Sequence, residues 1–273
     1  MSKPDCRRCG GAGYVTSGEG RYAAAQVCEC SAPCPVCNGT RQVAERRPDG
    51  RVFVSPCGCA QVAARIARFN DAQIPAYFHA KDAMRFDDKS PDERAIKRWV
   101  VQFQDAGKPG DRGILIVGNP GVGKTHLLCA LIRYLTLERG IACRYVDSFQ
   151  LLHDLKLVFG DANNASGALL EAVCRIPILA LDELGKTRAE GWQREVLDTI
   201  ISRRYDAGLT TFAASNYPLP KAGPGVTDGN LAELALRDTL DQRVGPRVYS
   251  RLMERCRAFA LNGDDRRLAM ASK

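Results

Sequence analysis

A chain of 273 residues has room for one ordinary domain and a smaller one, and an apolar content of 45% supplies a real core. No apolar run approaches the roughly 20 residues that span a bilayer, and Met1–Arg8 is charged with no apolar h-region. Neither a membrane span nor a signal peptide is therefore expected, and the cytoplasm is the expected location. A net charge of +8 favours a polyanionic partner such as nucleic acid.

Eight of the twelve cysteines cluster in the N-terminal segment that ends at Cys59: Cys6 and Cys9, Cys28 and Cys30, Cys34 and Cys37, Cys57 and Cys59. They form an internal repeat, C-x-x-C then C-x-C, in which the step from Cys6 to Cys34 nearly equals that from Cys28 to Cys57. In the second copy, residues 41–44 and 52–54 flank Pro48-Asp49-Gly50, which reads as a hairpin with a turn at its tip. A knuckle followed by a hairpin that carries another cysteine pair gathers four thiolates for tetrahedral Zn²⁺. Two copies imply two closed, structural zinc sites, and so short a segment folds poorly without metal. The repeat favours Cys6/Cys9/Cys28/Cys30 and Cys34/Cys37/Cys57/Cys59, with a nested pairing left open. A reducing compartment weighs against disulfides. Cys129, Cys143, Cys174 and Cys256 stand alone in helix-like or strand-like patterns and read as small core residues.

After the cysteines, residues 60–69 show a short helical stripe, and Pro75 biases Ile74 towards an extended conformation. Ser90 followed by Pro91 reads as a cap and first turn of a helix that runs to about Gln104. A loop over 107–113 then leads into the apolar run 114–117. The domains expected are a zinc-binding segment (1–60), a helical connector (61–107) and a nucleotide-binding domain (108–273).

That domain starts from Gly118-Asn119-Pro120-Gly121-Val122-Gly123-Lys124-Thr125, set between a strand pattern and a helical pattern. This is the context of a P-loop. Glycines let successive N–H groups face a phosphate, and the helix adds its positive end. Lys124 is expected on the β- and γ-phosphates of ATP and Thr125 on Mg²⁺, with His126 the next residue of the nucleotide-binding set. Residues 141–146 read as a strand, 148–158 as a helix and 160–164 as a turn. The apolar strand 176–181 ends in Asp182-Glu183, a Walker B pattern. Asp182 is expected in the Mg²⁺ shell, and Glu183 is expected to activate the attacking water. A long helix over 192–205, ended by Gly208, precedes the strand 209–216, whose last residue, Asn216, suits a sensor of water or γ-phosphate.

The order of these motifs carries a resemblance. Leu181-Asp182-Glu183-Leu184-Gly185, Ser202-Arg203-Arg204-Tyr205 and Ser215-Asn216-Tyr217-Pro218-Leu219 resemble the DnaC/DnaI/IstB group of AAA+ ATPases. So do Ala72-Gln73-Ile74-Pro75 upstream, and Arg247-Val248-Tyr249-Ser250-Arg251-Leu252, Gly263 and Arg266 downstream. The likeness covers roughly residues 70–267. It implies an α/β fold, a parallel sheet with helices on both faces and the P-loop strand in the middle, and lead-in residues 72–75 packed near the nucleotide. It also implies ATP sites completed by a neighbouring subunit's arginine finger, for which Arg251 is favoured and Arg247 is the alternative. Only the stretch from Leu252 to Lys273 follows Arg251, too short for a helical lid domain, so weak ATPase activity is expected without a partner or DNA.

Within the group, the cysteine block favours a loader of a DnaB-type replicative helicase onto single-stranded DNA, assembling with ATP. An IstB-like transposition helper that binds DNA and a transposase is the alternative. The helix after Ser148 lies where such proteins place a DNA-contacting element, but Lys156 is its lone cation, with His153 one turn before it. A P-loop phosphotransferase and a zinc-built adaptor with ATP as a switch complete the readings; Asp182-Glu183 with Asn216 argues for water as the acceptor.

Overall fold

The computed structural model describes residues 3–31, 33–157, 165–220 and 238–267. The turn expected at 160–164 lies outside them. The chain divides into two compact units, residues 1–80 with 132–143, and residues 81–131 with 144–273.

In the first unit each cysteine repeat builds an antiparallel hairpin. β1 (Tyr14–Ser17) pairs with β2 (Ala24–Val27), and β3 (Gln42–Arg46) pairs with β4 (Val52–Pro56). The second turn falls on Gly50, whose φ of +82° suits a residue without Cβ. Helix α1 (Gly58–Asp71) starts slightly before the expected stripe, directly behind Cys57, and buries Ile66 and Phe69. It packs on the first hairpin. The Asn70 side chain brackets Ala25, accepting from its N–H at 2.7 Å and donating to its carbonyl at 3.2 Å. Residues 72–75 continue that contact: Ile74 is buried, and its carbonyl accepts from the Ala23 N–H at 2.7 Å.

The remaining elements follow in chain order. They are α2 (Pro91–Ala106), β5 (Gly113–Val117), α3 (Lys124–Leu137), β6 (Cys143–Asp147), α4 (Ser148–Leu157) and α5 (Ala165–Arg175). Then come β7 (Ile178–Asp182), α6 (Trp192–Asp206), β8 (Thr210–Ser215), α7 (Leu240–Val244), α8 (Pro246–Arg255) and β9 (Cys256–Ala260). Helix α2 begins where Ser90 and Pro91 predict. The Ser90 hydroxyl accepts from the Glu93 N–H at 3.1 Å, and the Glu93 carboxylate accepts from the Ser90 N–H at 2.8 Å, a complete capping box.

The sheet order is β6-β7-β8-β5-β9, with β7–β8, β8–β5 and β5–β9 parallel. The P-loop strand β5 thus has a neighbour on each side but stands one strand from the edge rather than in the centre. Its side chains alternate between two covered faces. Leu115 and Val117 join Ala213 in a core closed by α4, α5, α6 and α8. On the opposite face Phe212 receives Trp99 and Phe103 of α2 edge-on, at 6.2 Å and 5.1 Å between ring centres. Because β8 lies between β5 and β7, Asn216 emerges between the P-loop and the Walker B acids. No helix among the described residues is long and apolar enough to cross a membrane.

Candidate functional site

Both cysteine sets gather in the sequential pairing. The sulfurs of Cys6, Cys9, Cys28 and Cys30 all lie within 4.8 Å of one another, as do those of Cys34, Cys37, Cys57 and Cys59. The nested arrangement is not formed. Zn–S bonds of about 2.3 Å in a tetrahedron require sulfur–sulfur edges of roughly 3.8 Å. The closest pairs match: Cys6–Cys28 at 3.8 Å, Cys9–Cys30 at 3.5 Å, Cys34–Cys57 at 3.8 Å and Cys37–Cys59 at 3.4 Å. The knuckle backbone favours the charged ligand as well. Amides of Cys37 and Val36 hold the Cys34 thiol down to about 6, and the Arg41 N–H donates to Cys37 Sγ at 3.3 Å. The residues fit Zn²⁺, with no open position for substrate. Cys129, Cys143, Cys174 and Cys256 are buried, as small core residues should be.

The P-loop bends at the carboxyl end of β5, where ligands of open parallel sheets bind. Gly118 has no room for a side chain, because a Cβ there would stand 2.0 Å from the Leu261 carbonyl oxygen. Lys124, only 7% exposed, curls back to donate to the carbonyls of Gly118 at 2.8 Å and Asn119 at 2.7 Å. Burial brings its ammonium down to about 8, with the nearby acids Asp182 and Glu183 opposing that shift. Val122 is buried, and Pro120 and Gly121 complete the turn. His126 sits one turn into α3, its Nε2 at 3.0 Å from the Asp82 carbonyl and its ring edge-on to Phe86; burial pulls its basicity down.

Asp182 ends β7 almost fully buried, and donors converge on it. Thr125 Oγ1 donates to its Oδ2 at 2.7 Å, and the Tyr145 hydroxyl donates to the same oxygen at 2.8 Å. The Glu183 N–H donates to Oδ1 at 2.9 Å, while the Ser148 hydroxyl donates to the Asp182 carbonyl at 2.8 Å. Burial, with Asp182 beside it, drives the Tyr145 phenol far above its ordinary range, so it stays a donor. Glu183 has a φ of +53°, a left-handed conformation that costs a non-glycine residue energy and is held by its surroundings. The Leu184 N–H donates to the Ala214 carbonyl at 2.9 Å, and the Ser215 hydroxyl donates to the Leu184 carbonyl at 2.6 Å. Asn216 Nδ2 donates to Glu183 Oε2 at 3.3 Å, and Lys186 Nζ stands 3.6 Å from the same oxygen. Asp182, Glu183, Thr125 and Asn216 therefore form one hydrogen-bonded group.

Arg247 and Arg251 lie one turn apart on α8 and share a single anion on α6. Their Nη1 atoms approach Asp198 Oδ2 at 3.3 Å and Oδ1 at 3.2 Å. Arg251 is the more enclosed, with its guanidinium 5.6 Å from the centre of the Tyr205 ring. On α4, His153 and Lys156 are exposed, and so is Phe149, whose ring faces Lys186 Nζ at 5.4 Å.

Sequence reasoning did not single out Tyr145, Ser148, Asp198, Phe149 or Lys186. Nor did it place residues 263–267 at the P-loop. There the Arg266 N–H donates to the Gly121 carbonyl at 3.1 Å, and its guanidinium, paired with Glu93, lies 4.3 Å from the Phe86 ring centre. Asp265 rests against Gly121 and pairs with Arg267. The motif order marks Gly263 and Arg266 but not their place at the P-loop, and it gives no signal for the others.

The family model described as IstB-like ATP binding protein matches residues 110–272. Among curated proteins, YqaM of Bacillus subtilis (strain 168), described as uncharacterized, is 32% identical over 112 residues, 39% of this chain and 34% of that protein. The replicative helicase loader DnaC of Buchnera aphidicola subsp. Schizaphis graminum (strain Sg) is 27% identical over 124 residues, 45% of this chain and 48% of DnaC. The chain thus spans between a third and a half of the length of these relatives. Among solved structures, the crystal structure of the DnaC helicase loader has a TM-score of 0.56 at 26% identity, covering 68% of this chain and 98% of that one. That of DnaI has a TM-score of 0.53 at 23% identity, covering 70% and 93%, a likeness of fold.

Proposed function

Because the chain belongs to the family of IstB-like ATP-binding proteins, with an AAA+ fold, we propose that it loads a DnaB-type replicative helicase onto single-stranded DNA and hydrolyses ATP as it does so. The observation that carries this reading is the joined group Thr125–Asp182–Glu183–Asn216 beside a P-loop, together with the DnaC relatives.

Bound Mg·ATP would supply the phosphoanhydride to be split and the charge that neutralises its β- and γ-oxygens. The amides of 119–125 and the α3 terminus cradle the phosphates, and Lys124 exchanges two backbone carbonyls for phosphate oxygens. Thr125 and Asp182 would hold the metal shell. Glu183 accepts a proton from the attacking water, and Asn216 fixes the carboxylate that does so. Arg251, with Arg247 as the alternative, serves a neighbouring subunit's site and adds positive charge there. Exposed Phe149 with Lys186 and Lys156 suits stacking and phosphate contact with single-stranded DNA. The two zinc sites are structural.

The test measures loading of the host's DnaB-type hexamer on circular single-stranded DNA with ATP, comparing the wild type with Glu183→Gln. Loading by the wild type, and nucleotide binding without turnover by the variant, are expected. Equal turnover by both would remove Glu183 from catalysis. The second reading is an IstB-like transposition helper, consistent with membership of the IstB-like family. ATP turnover stimulated by a transposase and not by the helicase would select it.

A further inference from the structure

Past β9 the chain returns to the P-loop, and three consecutive residues there play different parts. The Arg266 backbone N–H donates to the Gly121 carbonyl at 3.1 Å. Its guanidinium pairs with Glu93, the buried carboxylate that also closes the α2 capping box, and lies 4.3 Å from the Phe86 ring centre. Phe86 in turn leaves no room for a side chain at Gly123. Arg266 is thus an anchor that fastens this segment to the loop and to α2.

The residues on either side of that anchor form a pair. Asp265 lies so close to Gly121 that a Cβ there would collide with its carboxylate. Both oxygens of that carboxylate accept from the Arg267 guanidinium at 3.1 Å, and the Arg267 N–H donates to Oδ1 at 2.9 Å. Asp265 is the one ion-pair partner of Arg267 among the described residues, and the arginine side chain is 69% exposed. The hydrogen bonds to Asp265 raise the basicity of Arg267 above its ordinary value, and the Glu183 carboxylate adds to the effect from further off. Lys124, lowered mainly by burial, is lowered further by the Arg267 charge. A cation felt by both groups stands where a terminal phosphate would lie, since Lys124 suits the β- and γ-phosphates and Glu183 the water that attacks the latter.

We propose that Arg267 is a further contact for the nucleotide, supplied by the same chain: it exchanges the Asp265 carboxylate for the γ-phosphate of ATP in the P-loop. A guanidinium grips a carboxylate and a phosphate with the same two-pronged geometry, and a terminal phosphate carries more negative charge than the aspartate it replaces. Arg266 keeps the backbone in place while Arg267 changes partner, so the exchange is a side-chain rotation. ADP lacks the γ-phosphate and leaves Arg267 on Asp265, so the pair distinguishes the two nucleotides. Arg247 and Arg251 are separate from this role, since they lie on α8 and pair with Asp198. The assignment rests on the ATP-site reading and is independent of which partner the protein serves.

The test measures equilibrium affinity of the full-length protein, with Mg²⁺, for a non-hydrolysable ATP analogue and for ADP. Wild type is expected to bind both. Arg267→Ala is expected to lose about fivefold or more for the triphosphate analogue and less than about twofold for ADP. Arg267→Lys, which keeps the charge without the fork, should recover part of that loss. Asp265→Asn keeps an acceptor for the Arg267 N–H but removes the competing charge, and should tighten the triphosphate about twofold or more while ADP stays level. Equal loss of both nucleotides in Arg267→Ala would make the arginine a support for the loop, and unchanged affinity for both would make it a surface ion pair. Either result overturns the proposal while leaving the ATP site in place. A weaker triphosphate in Asp265→Asn would overturn the exchange of partners. Failure of the wild type to bind either nucleotide would remove the ATP-site reading, and this contact with it.

Discussion

The chemistry at the residue scale turns on Asp182. Two hydroxyls donate to one of its oxygens, but only Thr125 belongs to a recognisable motif; Tyr145 reaches it from β6. If Thr125 turns to the metal, as proposed, Tyr145 is left to keep the carboxylate in place. Tyr145→Phe is therefore expected to fold normally and to raise the Mg²⁺ concentration needed for nucleotide binding by about three- to tenfold, as followed with a fluorescent ATP analogue. Lys124→Ala is expected to abolish that binding. The lysine also sets a pH limit. Burial brings its ammonium down to about 8, and in its proposed role it would hold phosphate in the protonated form. Affinity should be level below that pH and fall by up to about tenfold per unit above it, and a flat profile to pH 9.5 would contradict this. The P-loop, Asp182, Glu183 and Asn216 were legible because their spacing along the chain encodes their meeting. Tyr145 was not, since an aromatic residue near a strand end looks the same whether it packs or donates.

Among the elements, α6 shows how a charge becomes part of a core. Arg204 is 1% exposed and donates to the carbonyls of Val173, Cys174, Ile176, Pro177 and Thr210 and to the Thr211 hydroxyl. It ties the end of α5 to the starts of β7 and β8, and burial lowers its pKa to about 10. Arg204→Leu would strand several of these carbonyls, so a loss of roughly 3 kcal/mol or more in denaturant unfolding is expected. The sequence marks Arg204 as part of a family motif but offers no hint that it is structural. Element positions were largely legible, with α2 and its cap the clearest case, because Ser90, Pro91 and Glu93 act locally. Boundaries shifted where tertiary contacts decide them: α1 starts early behind Cys57, and β6 begins at Cys143 rather than Ile141. The place of β5 in the sheet, one strand from the edge, depends on β9 alone, which no motif announces.

The whole molecule is two units with different sources of order. The sheet unit is held by its own core, whereas each hairpin gathers four sulfurs that could hold a metal ion. Metal analysis should find two zinc per chain, and stripping them with a thiol-reactive mercurial and chelator should melt the hairpins, as seen by amide exchange, while ATP binding persists. A zinc content near zero with unreactive thiols would contradict the metal sites. In the sheet unit, α8 carries both candidate fingers and runs without a loop into β9. β9 lies along the P-loop strand, and the next residue, Leu261, donates to the Val117 carbonyl at 2.7 Å and crowds Gly118. The helix that carries Arg251 is therefore continuous with a strand that forms the floor of its own nucleotide pocket. Were Arg251 to serve a neighbouring subunit, as proposed, that neighbour's hold on it would be felt at the pocket of the chain that supplies it.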